Sequence, residues 1–204
     1  MIDVPLLTET PPLVVKLRPA IDMTEEEFFH LCQINRELRL ERTAEGHIVI
    51  MTPAGGKTSS RNATLNAMLY SWAKRDGRGV TFDSSGGFTL PNGAMRSPDA
   101  AWVLRARLES LPEEQKRRFL PLCPDFVVEL RSPTDRVSDL QDKMEEYVAN
   151  GARLGWLLVP ETHDVYIYHP NSPATHLHDP DNISGEPVLH DFVLHLADIW
   201  DPGF

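Results

Sequence analysis

The chain has 204 residues, 41% of them apolar, which suffices for one domain with a full core, and its net charge of −10 argues against tight, non-specific gripping of nucleic acid by a monomer. Its two cysteines, Cys32 and Cys123, lie far apart in apolar surroundings and fit free thiols in a reducing compartment better than a disulfide or a zinc site. There is no apolar run of membrane-spanning length and no basic-then-apolar secretory start, so a cytoplasmic protein is expected.

In chain order, residues 1–22 read as an N-terminal arm, Pro-rich up to Pro12, with a short strand from Leu13 to Leu17; residues 23–204 read as one domain. Thr24 is a good N-cap, with Glu25, Glu26 and Glu27 in the first turn, so a helix is predicted to Ile34. Leu38–Arg42 and His47–Thr52 alternate apolar and polar residues around Ala44-Glu45-Gly46, which predicts a hairpin. Pro53-Ala54-Gly55-Gly56 precedes a long helix from about Lys57 to Arg75, with Ala63, Leu65, Leu69 and Trp72 facing inward. Val80–Asp83 and Gly87–Leu90 read as a second hairpin through Ser84-Ser85-Gly86, and Asn92-Gly93 turns the chain toward a strand at Asp99. A charged segment follows, with a helix start at Pro112-Glu113-Glu114. Phe126–Leu130 is a buried strand, Val137–Asn150 a helix stopped by Gly151, and Leu154–Val159 and Asp164–Tyr168 a strand pair. Residues 169–187 read as loop, and Val188–Trp200 closes the domain. The sum is an α/β domain, a mixed central sheet flanked by helices.

The anomaly is Glu129, a carboxylate inside Phe126-Val127-Val128-Glu129-Leu130, where an unpaired charge is costly. Asp99, in Ser97-Pro98-Asp99-Ala100-Ala101-Trp102-Val103, repeats the pattern. Two carboxylates on adjacent strands, completed by a backbone carbonyl and water, suit a hard divalent cation. The bland alternative is a turn cap for Asp99 and an arginine partner for Glu129. On the helix from Val137, Lys143 and Gln141 flank the apolar face on opposite sides, and either can reach over the sheet edge. Without the two carboxylates, a solvated Lys143 paired to Glu146 or Asp139 would be the better reading. Arg131 shares a strand face with Glu129 but holds its proton too tightly for a base.

Other motifs carry less. Gly55-Gly56-Lys57-Thr58 looks like the end of a phosphate loop, but Met51 stands where that loop needs glycine. His163, His169, His176 and His178 lack a matching partner at zinc spacing, and Ser84 and Ser132 lack a nucleophile-elbow context.

Arg96–Val103, Leu120–Pro133, Lys143-Met144-Glu145-Glu146-Tyr147 and Asn150–Trp156 together resemble the Uma2 family (DUF820), with a likeness running from about Met23 to Trp200. That resemblance implies a PD-(D/E)xK restriction-endonuclease-like fold, here with N-terminal β-hairpin additions, and Mg²⁺- or Mn²⁺-dependent hydrolysis of phosphodiesters in nucleic acid, with DNA the expected substrate. It implies Asp99 and Glu129 as metal ligands, joined by the Leu130 carbonyl, and Lys143 as the lysine of the pattern, moved to the helix because the strand position holds Arg131. Glu41 is the candidate for the additional N-terminal acid and Gln141 for a helper of the nucleophile or the lysine. A homodimer fits an enzyme that cuts both strands. The alternative is a nuclease fold kept as a non-catalytic binding or regulatory domain; a nucleotide hydrolase using Lys57 is a weaker third.

Overall fold

A computed structural model describes residues 12–204. In chain order its elements are β1 (Leu13–Val15), α1 (Glu25–Ile34), β2 (Arg39–Arg42), β3 (Ile48–Met51), α2 (Gly56–Asp76), β4 (Gly79–Asp83), β5 (Phe88–Thr89), β6 (Met95–Arg96) and β7 (Ala100–Leu104). They continue with α3 (Arg105–Glu109), α4 (Glu113–Lys116), β8 (Phe126–Leu130), α5 (Val137–Ala149), β9 (Leu154–Val159), β10 (Asp164–Tyr168), β11 (Thr175–His178), β12 (Asn182–Ser184), β13 (Val193–His195) and α6 (Ala197–Trp200).

All five residues of β8 are buried, because the strand lies mid-sheet with cover on both faces. It pairs antiparallel with β7 and parallel with β9, and the sheet runs β11-β10-β9-β8-β7-β4. The parallel step from β8 to β9 needs a crossover, and α5 supplies it. Side chains alternate faces along β8. Phe126, Val128 and Leu130 join Leu65, Leu69 and Trp72 of α2 and the β12–β13–α6 segment, whereas Val127 faces Leu140, Met144 and Tyr147 of α5. Glu129 follows Val127 onto the α5 face.

The first helix starts as its sequence dictates. The Thr24 hydroxyl accepts from the Glu27 N–H at 3.2 Å while the Glu27 carboxylate accepts from the Thr24 N–H at 2.8 Å, a reciprocal capping box. The hairpin β2–β3 belongs to a second, antiparallel sheet ordered β1-β3-β2-β6-β5, whose core is Phe28, Leu40, Ile48 and Met95. The mixed central sheet, its flanking helices and the added hairpin are thus as the sequence predicts. The arm expected over residues 1–22 lies outside the described residues up to residue 11; beyond that point, Leu13–Val15 pair with β3.

Three local expectations are corrected. β4 and β5 do not form a hairpin: β4 pairs with β7 in the larger sheet and β5 with β6 in the smaller, the chain crossing between sheets at Ser84–Gly87. Gly87 permits that crossing, since a Cβ there would lie 2.1 Å from the Phe119 ring. The segment 169–187 contains β11 and β12, because residues 175–178 find an edge beside β10 and residues 182–184 pair with β13. Ala63 is exposed, and the inner side of α2 is set instead by Thr58, Arg61, Leu65, Leu69, Trp72 and Ala73. Arg61 is buried because its guanidinium donates to the Ile199 and Trp200 carbonyls. Both cysteines are free thiols, and no described helix is long and apolar enough to cross a membrane.

Gly79 begins β4 directly against Trp102, and a Cβ there would lie 2.2 Å from the indole. That ring is fully buried against Trp72 and is rigid. Gly79→Ala is therefore expected to destabilise the fold by about 1–3 kcal/mol, read as a lower urea midpoint with an unchanged slope.

Candidate functional site

The β7–β8 pairing ends at Ala100 opposite Val128, and Asp99, just before β7, turns its carboxylate to the backbone of β8 beside Glu129. Both oxygens of Asp99 are held. Oδ2 accepts from the Leu130 N–H at 2.9 Å and Oδ1 from Asn62 Nδ2 at 3.0 Å, with an Arg39 guanidinium nitrogen 3.6 Å from Oδ1. Asn66, one helical turn from Asn62 on α2, donates to the Asp99 carbonyl at 3.0 Å. Each carboxylate oxygen retains capacity for a further partner.

Glu129 is 4% exposed. Its Oε1 receives the Lys143 ammonium at 2.9 Å and the Tyr147 hydroxyl at 3.0 Å, both presented by one face of α5. The same ammonium lies 2.9 Å from Glu41 Oε1, so Lys143 bridges β2 and β8. Glu41 Oε1 also accepts from the Ser97 N–H at 2.9 Å, and its Oε2 faces the Arg96 guanidinium at 3.2 Å. Arg96 in turn donates to Glu146 at 2.6 Å. The chain of contacts Glu146–Arg96–Glu41–Lys143–Glu129 ties the smaller sheet to α5 and to the centre of the larger one.

The charges are unequally satisfied. Burial works against ionising Glu41, yet Lys143, Arg96 and the Ser97 N–H outweigh it and hold the carboxyl down at about 2. Burial also pushes Glu129 up, and although Lys143 opposes this, the negative charges of Asp99 and Glu41 add to it and leave the carboxyl raised to about 7. Burial disfavours the Lys143 ammonium, but Glu129 and Glu41 overcome that cost and raise its pKa. The Tyr147 hydroxyl is pushed well up, by burial first and then by Glu129. In the Glu129–Lys143 pair the lysine thus keeps its proton and the carboxylate carries the electrostatic strain, because Lys143 has a second carboxylate partner.

The carboxylates of Asp99 and Glu129, the second short of positive charge, are oxygen donors of the kind a hard cation takes. Among the described residues no group of three or more His, Cys, Asp or Glu is arranged to hold a metal ion. An ion here would rest on two carboxylates, backbone oxygen and water. A cavity of about 420 Å³ opens between the smaller sheet and α5 and is walled in part by Glu41, Arg96, Lys143 and Glu146. Asp99 and Glu129 do not line it; Glu129 is joined to it through Lys143.

Of the residues singled out in the sequence, Glu41, Lys143 and Glu129 are in direct contact, and Asp99 accepts from the N–H of Leu130, the residue after Glu129. Gln141 does not join them. It lies two positions from Lys143, about 200° around the helix, half-buried, with no hydrogen bond to any of the four side chains among the described residues. Arg131 turns to Glu161 at 3.1 Å and to the Asp135 carbonyl at 3.1 Å. Gly55–Lys57 is the start of α2, His176 and His178 share Asp164, and His163 pairs with Asp179. Asn62, Asn66 and Arg39 were not singled out. The legible signal was two asparagines four apart on a helix, directly beside its buried leucines.

A family model described as "Uma2: Putative restriction endonuclease" matches residues 25–197. Among solved structures, a protein from Anabaena variabilis ATCC 29413, described as "a putative nuclease belonging to DUF820", has a TM-score of 0.73 against this chain at 20% sequence identity, covering 88% of this chain and 98% of its own. No curated protein matches the chain. At that identity the structural likeness carries the fold alone. The family match spans most of the sequence, and the chain belongs to the Uma2 family.

Proposed function

We propose that this protein is a metal-dependent endonuclease that hydrolyses phosphodiester bonds in DNA. The observation that carries the reading is the buried Lys143 ammonium 2.9 Å from both Glu41 and Glu129, with the Asp99 carboxylate bonded to the N–H of the next residue, Leu130. The family description and the nuclease neighbour support the same reaction class. Asp99 and Glu129, with the Leu130 carbonyl, would hold Mg²⁺ or Mn²⁺. Bound there, the ion supplies charge neutralisation at the phosphate and lowers the pKa of water.

The protein's own groups do the positioning. The Leu130 N–H and Asn62 fix the Asp99 carboxylate, and Tyr147 fixes that of Glu129. Lys143, an ammonium between two carboxylates, keeps its proton and serves as a fixed positive charge for the phosphorane-like transition state rather than as a base. Glu41, locked by Arg96 and the Ser97 N–H, holds that ammonium in place. Gln141 has no part in this arrangement. A symmetric homodimer would place two such centres for cutting both strands, and light scattering on the purified chain tests that element.

The test is nicking of supercoiled plasmid with Mg²⁺ or Mn²⁺, with EDTA, and with Asp99→Asn. Cleavage is expected with either ion and is lost with EDTA and in the variant. Equal cleavage by wild type and Asp99→Asn, or none by wild type on any DNA or RNA substrate, overturns the reading. The second outcome would favour a non-catalytic binding domain, the rival that the net charge of −10 supports.

A further inference from the structure

The candidate centre is bordered by two concave surfaces of opposite character. The cavity on the α5 side is walled by Glu45, Asp135, Asp139, Asp142 and Glu146 besides Glu41, and two of its cations, Arg96 and Lys143, are already committed to Glu41. A strand carrying a negative charge every ~3.4 Å cannot pass along that wall without strong repulsion. A second groove, of about 390 Å³, is lined by Arg36, Arg39, Ser84, Ser85 and Ser97, with Glu37 as its carboxylate. Arg39 joins this groove to the centre: its guanidinium donates to the Ser97 carbonyl at 3.1 Å, lies 3.6 Å from Asp99 Oδ1, and leaves its side chain 38% exposed. A phosphate bound to a cation that Asp99 would hold comes within reach of Arg39. Arg36, exposed and bonded to the Gln33 carbonyl, is the next cation outward.

We infer that DNA enters along the Arg36–Arg39 groove, with successive backbone phosphates paired to those two guanidiniums, and that the acidic cavity is the surface it avoids. The inference rests on the nuclease reading of this site. Arginine suits the role because its planar fork meets phosphate oxygens two at a time. Ser84, Ser85 and Ser97 line the path between with small polar groups; Ser85 is fixed by hydrogen bonds to the Asp83 carboxylate. The chain's acidity ceases to oppose a nucleic-acid substrate once this groove is distinguished from the acidic cavity.

The test is fluorescence anisotropy of a labelled DNA duplex and of its single strand in Ca²⁺, repeated across salt concentrations. Arg36→Gln and Arg39→Gln are each expected to weaken duplex binding by about tenfold and to make the plot of log affinity against log salt shallower by about 0.9. Asp139→Asn, in the acidic cavity, is expected to leave the slope unchanged. A merely structural role for either arginine would lower the urea midpoint without moving the slope. If both arginine variants keep the wild-type slope, this inference falls while the nuclease reading stands. If the wild type binds neither form of DNA, both fall. Arginine-dependent binding without cleavage upholds the groove and overturns the catalytic reading.

Discussion

Glu129→Gln is expected to abolish cleavage, by about a thousandfold or more given what single preorganised electrostatic contacts contribute, while leaving the fold at least as stable as the wild type. Activity and stability separate here because the wild-type carboxylate is ill at ease: it is 4% exposed and shares its surroundings with Asp99 and Glu41. Its pKa is raised in the folded state, so its contribution to stability is fully present below the unfolded value near 4.5 and is lost as pH rises through about 7. The amide has nothing to ionise and escapes that loss, still accepts from the Tyr147 hydroxyl, and leaves Lys143 paired with Glu41. Urea melts at pH 5 and pH 8 should therefore show a variant advantage that grows with pH, to about 1–3 kcal/mol after allowing for the partner that Lys143 loses. Retained cleavage would remove Glu129 from the metal. A variant less stable than wild type at pH 8 would mean that Lys143 satisfies the carboxylate completely.

That carboxylate was legible because four of its five strand residues are apolar and the fifth has no business there without a partner. Lys143 was legible from helical spacing once a partner existed for it to reach. Gln141 flanks the same apolar face on the side away from Lys143, and helical spacing alone does not tell the two sides apart. Asn62, Asn66 and Arg39 were overlooked for a different reason. Each acts on Asp99 across a long sequence separation: Arg39 comes from β2, and the α2–β7 packing that brings Asn62 and Asn66 is set by Leu65, Leu69, Trp72 and Trp102, none of which points to a carboxylate. The supposed hairpin at Val80–Leu90 shows the limit of local turn chemistry. Ser84-Ser85-Gly86 does form a turn, with the Gly86 N–H donating to the Asp83 carbonyl at 2.9 Å. The strand after it is nonetheless taken by Leu120 and Met95 in the other sheet, and no pattern within the turn encodes those distant partners.

Lys143→Met is expected to cost about 3–5 kcal/mol, the range for removing one member of a buried ion pair. Methionine matches the length and the apolar stem of lysine but leaves Glu41 and Glu129 with no cation between them. The two carboxylates will not suffer equally. Glu41 keeps Arg96 and the Ser97 N–H, whereas Glu129 keeps only the Tyr147 hydroxyl among the partners described. Glu129 is then the group that takes a proton, so the deficit should shrink as pH falls and be largest above neutrality. The double variant Lys143→Met/Glu129→Gln isolates the cause: with no charge left on β8, most of the lost stability should return, a coupling of several kcal/mol between residues in contact. Lys143→Arg is no substitute, because a planar fork must replace a point charge in a side chain 10% exposed and bonded to two separate strands. If the single and double variants are equally destabilised, the loss lies in the packing of α5 against the sheet rather than in the unpaired carboxylate, and Lys143 would then be a structural strut between β2 and β8 rather than the charge that holds the site together.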